Sequence, residues 1–111
     1  MIPSVRIAAV QCVSTVDVAA NQQVLARLTR AAAEAGADVV IWPENALYFG
    51  DDPYGAAADA PRWLAWACAL ARQYGLYVIT GTWPERTRSN GDPVPEGRVR
   101  AAAYGLSLIH I

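Results

Sequence analysis

Lysine is missing altogether: each of the 9 basic residues among the 111 is an arginine. Schiff-base chemistry and lysine-assisted hydrolysis therefore find no lysine in this chain. Histidine occurs once, as His110, and cysteine twice, as Cys12 and Cys68. A metal site needs three or four converging ligands, and no such cluster is visible, so neither a metal nor another cofactor is expected. Two thiols without the close spacing of a small secreted domain make no disulfide framework, which points to a reduced, cytoplasmic setting. No apolar run approaches the ~20 residues of a membrane span. The start, MIPSVRIAAV, lacks the basic head and long apolar stretch of a secretion signal. A net charge of -1 and a pI near 5.7 fit a nucleic-acid binder poorly. A small molecule is the expected partner, with neither nucleic acid nor membrane.

What is present is apolar: 54% hydrophobic against 17% charged residues. At this length one core is the ceiling. Val5 to Gln11 reads as a short buried strand. Asp17 then caps a helix whose face runs through Asn21, Val24, Leu25, Leu28, Ala31, Ala32 and Ala35 to a stop at Gly36. Ala37 to Trp42 is a second strand, apolar enough to suggest cover on both faces. Residues 50 to 58 read as a loop. Asp59 and Pro61 start a second helix through Trp63, Leu64, Ala67, Leu70, Ala71 and Tyr74, with Gly75 as its end. Leu76 to Thr80 is strand three, residues 82 to 97 a surface loop rich in turn formers, and Arg98 to Leu108 a fourth strand. This order, βαβαβ plus one strand, predicts an α/β fold with an open, mainly parallel or mixed sheet.

In that frame Glu44 draws the eye. It follows Val39-Val40-Ile41-Trp42-Pro43, so its carboxylate lies just past the end of a strand, where open α/β sheets bind ligands. The same position would also suit a turn that only caps or pairs a charge.

Four segments in order, RIAAVQ, DVAANQQVLARLTRAAAEAGADVVIWPENALYFG, LARQYGLYVITGTWPER and GRVRAAAY, resemble the N-terminal part of the nitrilase superfamily of carbon-nitrogen hydrolases. The likeness is nearest to the amidase branch that includes deaminated-glutathione amidases. It spans residues 5 to about 104. It implies an α-β-β-α sandwich and hydrolysis of a small linear amide by a Glu-Lys-Cys set, in a parent that assembles into homo-oligomers. Of that set only Glu44 falls on a matching position, as general base. Such a base takes the proton of a thiol, whose ordinary pKa is about 8.5, and typically contributes about 10²-fold to 10⁴-fold in rate. Trp42, Leu47 and Phe49 are expected to lower the polarity around it.

Cys12 and Cys68 read as buried small hydrophobes, not as nucleophiles. Glu85, in GTWPER, reads as a solvated loop charge beside Arg86 and Arg88. Asn45, Tyr48 and Tyr54 receive no role. The tail from Gly105, GLSLIHI, departs from the family pattern, and residues 1–111 are expected to be one truncated hydrolase domain, inactive alone. The competing reading is a non-catalytic α/β module that binds a small molecule or a subunit at the same strand ends.

Overall fold

The computed structural model describes residues 4–106. Strand β1 (Ile7–Ala9) is followed by helix α1 (Val18–Glu34) and strand β2 (Val39–Ile41). The Asp17 carboxylate accepts a hydrogen bond from the Ala20 N–H at 3.0 Å, satisfying one of the donors that open every helix. After α1 the chain turns at Gly36 with φ +86°, a conformation costly for any residue with a Cβ.

The segment read as a loop between β2 and the next long helix contains structure. Asp52 caps a one-turn helix α2 (Pro53–Ala56), and a 3₁₀ turn (Ala57–Asp59) leads into α3 (Ala60–Tyr74). Gly75, with φ +65°, closes α3 in the left-handed conformation. Strand β3 (Tyr77–Ile79) then pairs with β2.

Residues 82–97 are corrected most. Trp83–Glu85 form a strand, β4, in which all three residues are buried. Pro84 is tolerated there because the pair is only two strands wide, so one side of β4 needs no donor. The expected fourth strand divides into β5 (Arg100–Ala102), antiparallel to β4, and β6 (Gly105–Leu106), antiparallel to β3. The main sheet has the order β1-β2-β3-β6, parallel except at β6. The expected mainly parallel, mixed α/β sheet is what the chain forms.

The two short sheets are one long hairpin with a fault in it. Ile79 faces Gly105, whereas Trp83 faces Ala102. The paired numbers sum to 184 below the fault and 185 above it, so the first strand carries one extra residue, a β-bulge. With Thr80 still bonded to Tyr104, the extra residue falls at Gly81 or Thr82.

Successive crossovers that step the same way along a sheet put their helices on one face. Here α1 and α3 touch one another and bury Val40, Val78 and Leu106. The opposite face keeps Ile7, Tyr77 and Ile79 exposed, so the expectation that β2 is covered on both faces fails. The core also departs from the apolar stripe read along α1. Its buried residues are Asn21, Leu25, Thr29 and Ala32, while Ala31 and Ala35 are exposed. Thr29 is tolerated because its hydroxyl accepts the Trp42 indole N–H at 3.0 Å. The four tryptophans pack between α3 and the strands, with Trp63 set edge-on to Trp83 and Trp66 tilted against Trp42.

Candidate active site

Glu44 sits in a turn built to a tight specification. Trp42 extends the β2 ladder by donating its N–H to the Ile79 carbonyl at 2.9 Å. Pro43 has no N–H and cannot continue that ladder. Asn45 adopts φ +54°, which asparagine accepts more readily than most residues, and donates its N–H to the Thr82 carbonyl at 2.9 Å. The turn is thereby hung on the bulge. Gly81 makes this possible by its lack of a side chain, since a Cβ there would lie 1.7 Å from the Pro43 carbonyl oxygen.

The other flank is held by the β1–α1 connection. Ser14 Oγ donates to the Ala46 carbonyl at 3.0 Å, and the Phe49 N–H reaches the Thr15 carbonyl at 3.1 Å. Asn21 is the junction. Its side-chain N–H groups donate to the carbonyls of Thr15 and Leu47 at 2.8 and 2.9 Å, and its oxygen accepts from the Thr15 N–H at 3.0 Å. Removing that amide leaves the Leu47 carbonyl and the Thr15 N–H without their partner, while the Thr15 carbonyl keeps the Phe49 N–H, and unsatisfied buried groups cost about 1–3 kcal/mol each where water cannot replace them. Asn21→Ala is therefore expected to lower stability by about 2–3 kcal/mol, measured as a fall in the urea midpoint with unchanged slope. A shift within experimental scatter would show that the junction contributes nothing.

The Glu44 side chain is exposed. Among the described residues no group donates a hydrogen bond to its carboxylate. The expected apolar surroundings are not formed by this chain: Trp42 and Leu47 lie in the core, but Phe49 is 65% exposed. A recess of about 150 Å³ begins at the adjacent residue, between Asn45, Pro53, Trp83, Pro84 and Val99.

The other candidates separate from Glu44. Cys12 is half-buried against the core, and burial pushes its thiol up from the ordinary value, away from the reactive thiolate. Cys68 is a half-buried residue of α3. His110 and the tail from Ser107 lie outside the described residues. Tyr48 is buried, with its hydroxyl accepting the Asp52 N–H at 2.8 Å. Tyr54 anchors Arg86, whose guanidinium lies 3.9 Å above the ring and donates from Nε and Nη2 to the Tyr54 carbonyl at 2.8 and 2.6 Å. Among the described residues no group of three or more His, Cys, Asp or Glu is placed to hold a metal ion. No described helix is long and apolar enough to cross a membrane.

Glu85 is the main site correction. It is 7% exposed, not solvated. Its Oε2 accepts from the Trp83 indole at 3.0 Å and from the Tyr104 hydroxyl at 2.7 Å, and its Oε1 from Arg100 Nη2 at 2.9 Å. Burial, and then the bond to Glu85, push Tyr104 up to about 12. The signal was available in WPE against RVRAAAY: alternate residues of a strand share a face, so Trp83 and Glu85 belong together. A cleft of about 390 Å³ lies beside this cluster, lined by Ala57, Ala60, Pro61, Leu64, Glu85 and Tyr104.

The chain is an α/β sheet with an exposed carboxylate on a fastened turn past a strand end, and residues 6–101 match the carbon-nitrogen hydrolase family. The chain belongs to that family. Solved structures share the fold. An amidase from Nesterenkonia sp. aligns with a TM-score of 0.66 at 21% identity, over 91% of this chain and 42% of its own. A carbon-nitrogen hydrolase from Helicobacter pylori G27 gives 0.69 at 14%, over 91% and 39%. The C. elegans NitFhit protein gives 0.65 at 20%, over 89% and 27%. The chain thus spans less than half the length of these relatives.

Proposed function

We propose that Glu44 is the general base of a site that hydrolyses a small linear amide, in a protein of which these 111 residues form the N-terminal portion. The observation that carries this reading is the contrast between backbone and side chain. The Glu44 turn is fastened on one flank by Thr82 and on the other by Ser14 and Asn21, yet the carboxylate meets no donor among the described residues. A structural carboxylate would be used up by the turn it stabilises. A proton acceptor must stay available, in a fixed place, for a group that arrives.

The nucleophile in this reading is a cysteine other than Cys12 and Cys68, and a lysine absent from this chain faces the developing oxyanion. Glu44 takes the thiol proton as sulfur attacks the amide carbon, and hands it to the departing ammonia as the carbon–nitrogen bond breaks. As a free carboxylate again, it takes a proton from the water that attacks the acyl carbon and returns it to the sulfur as the carbon–sulfur bond breaks. The substrate class is supported by a structure of a Nesterenkonia amidase variant in complex with acrylamide, a small linear amide. The remaining catalytic groups being elsewhere, residues 1–111 alone are inactive in this reading.

Two assays test it. The purified 111-residue chain is expected to release no ammonia from acrylamide or propionamide above the rate without protein. In the intact protein, Glu44→Gln is expected to lower kcat by about 10²-fold to 10⁴-fold, the usual contribution of a positioned base. Turnover by the isolated chain would remove the need for a separate cysteine and lysine. Unchanged kcat in the variant would leave the non-catalytic binding module as the better reading.

A further inference from the structure

We infer that Glu85 is a positioning residue for the Glu44 turn, acting through the bulged hairpin that supports it. The inference rests on the reading of Glu44 as the base for its functional meaning, although the structural coupling stands independently of it. A buried, charged residue needs a reason, because a carboxylate surrenders much of its hydration on burial and must be repaid by directed donors. Glu85 has three donors, and they come from both strands of the hairpin: Trp83 from β4, Arg100 from β5, and Tyr104 from the β5–β6 connection.

Two of those contacts, from Trp83 and Tyr104, flank the bulge. Tyr104 is also bonded through its backbone to Thr80, with N–H to Oγ1 at 2.9 Å and the Thr80 N–H to the Tyr104 carbonyl at 2.9 Å. Trp83 follows directly on Thr82. The carboxylate therefore pins Trp83 on one side of the Gly81–Thr82 step through its indole, and Thr80 on the other side indirectly, through the hydroxyl of its cross-strand partner Tyr104. Both contacts between the hairpin and the Glu44 turn arise at that step: the close approach of Gly81 to the Pro43 carbonyl, and the Asn45 N–H bond to Thr82. A chain of direct contacts thus runs from Glu85 through Trp83 and Thr82 to Asn45 and Glu44. The bulge needs such a brace, since the extra residue leaves the ladder locally unpaired.

Glu85→Gln keeps the shape and removes one of the two acceptor oxygens, setting an amide NH₂ against a hydroxyl, an indole or a guanidinium that all donate. Hydrogen exchange read by mass spectrometry on the 111-residue chain reports the consequence without any assay of chemistry. The expected result is exchange at least about tenfold faster in residues 44–49, equal to about 1.4 kcal/mol of local opening, with α1 unchanged. Tyr104→Phe deletes one donor only and is expected to speed the same peptide by a smaller factor; it decides the matter should Glu85→Gln unfold. Unchanged exchange in residues 44–49, or acceleration spread equally through α1, would overturn the inference, the latter by reducing Glu85 to a general stabiliser. Loss of the Glu44 reading in the kcat experiment would leave this result standing, and the reverse also holds, so the two failures are distinguishable.

Discussion

Gly81→Ala is expected to destabilise the chain by about 3 kcal/mol, the upper part of the range for overpacking a fitted site, while Gly105→Ala in the same hairpin stays within about 0.5 kcal/mol of the parent. The two glycines differ in surroundings. A Cβ at position 81 would meet the Pro43 carbonyl oxygen at 1.7 Å, its carbon at 2.4 Å and the Glu44 nitrogen at 3.0 Å. All three are backbone atoms, so no rotamer change relieves the clash. At position 105 nothing lies within 4 Å. Neither site has a left-handed backbone, which removes conformational preference as the cause and leaves steric exclusion. The turn would have to lift off the hairpin, losing the Asn45 bond to Thr82. Because the displaced segment is the one that carries Glu44, the proposal that Glu44 is the base predicts that the intact protein loses activity in parallel with stability. Urea unfolding of the two variants side by side provides the check, and equal midpoints for both would show that the turn does not rest on the bulge.

Much of this fold is legible in local sequence because its determinants are local. Asp17 caps α1 through a neighbour three residues away, Gly36 and Gly75 end helices through their own φ angles, and VVI declares a strand by its β-branched run. The position of Glu44 after a strand end follows from the same run. What escaped has partners far along the chain. Pro84 and the turn formers after it argue for a loop, and only pairing with Arg100–Ala102, far along the chain, makes Trp83–Glu85 a strand. Glu85 looks solvated beside Arg86 and Arg88 until Arg100 and Tyr104 are brought to it. Thr29 falls outside the core-facing stripe read along α1, and the reason that Asn21 suits it stays hidden, because the Trp42 indole and the Leu47 carbonyl that satisfy them arrive from other elements. The one-sided cover of the sheet follows from the strand order, which no short window contains.

That uncovered face sets the behaviour of the chain on its own. Ile7, Val39 and Tyr77 are cross-strand partners in one row, and Ala9, Ile41 and Ile79 in the next row on the same face. Ile7 is 62% exposed, Tyr77 47% and Ile79 40%, so water meets a contiguous apolar strip along three strands. Strips of this kind mark surfaces that other protein covers, and when left open they drive association. The solved relatives are more than twice as long as the part this chain matches, so they have chain to spare for such cover. The 111-residue chain is therefore expected to self-associate in sedimentation velocity runs at concentrations of tens of micromolar, an order-of-magnitude figure for an open apolar face. Ile7→Lys with Ile79→Lys places a charge in each row without touching the helical core, and should weaken association by at least about tenfold, or 1.4 kcal/mol, with the helical signal preserved. In the intact protein the same pair should instead destabilise the fold, because a buried lysine without a partner is far costlier than an exposed one. Association of the double variant at the parent's strength would assign the contact to some other surface and leave this face wet by design.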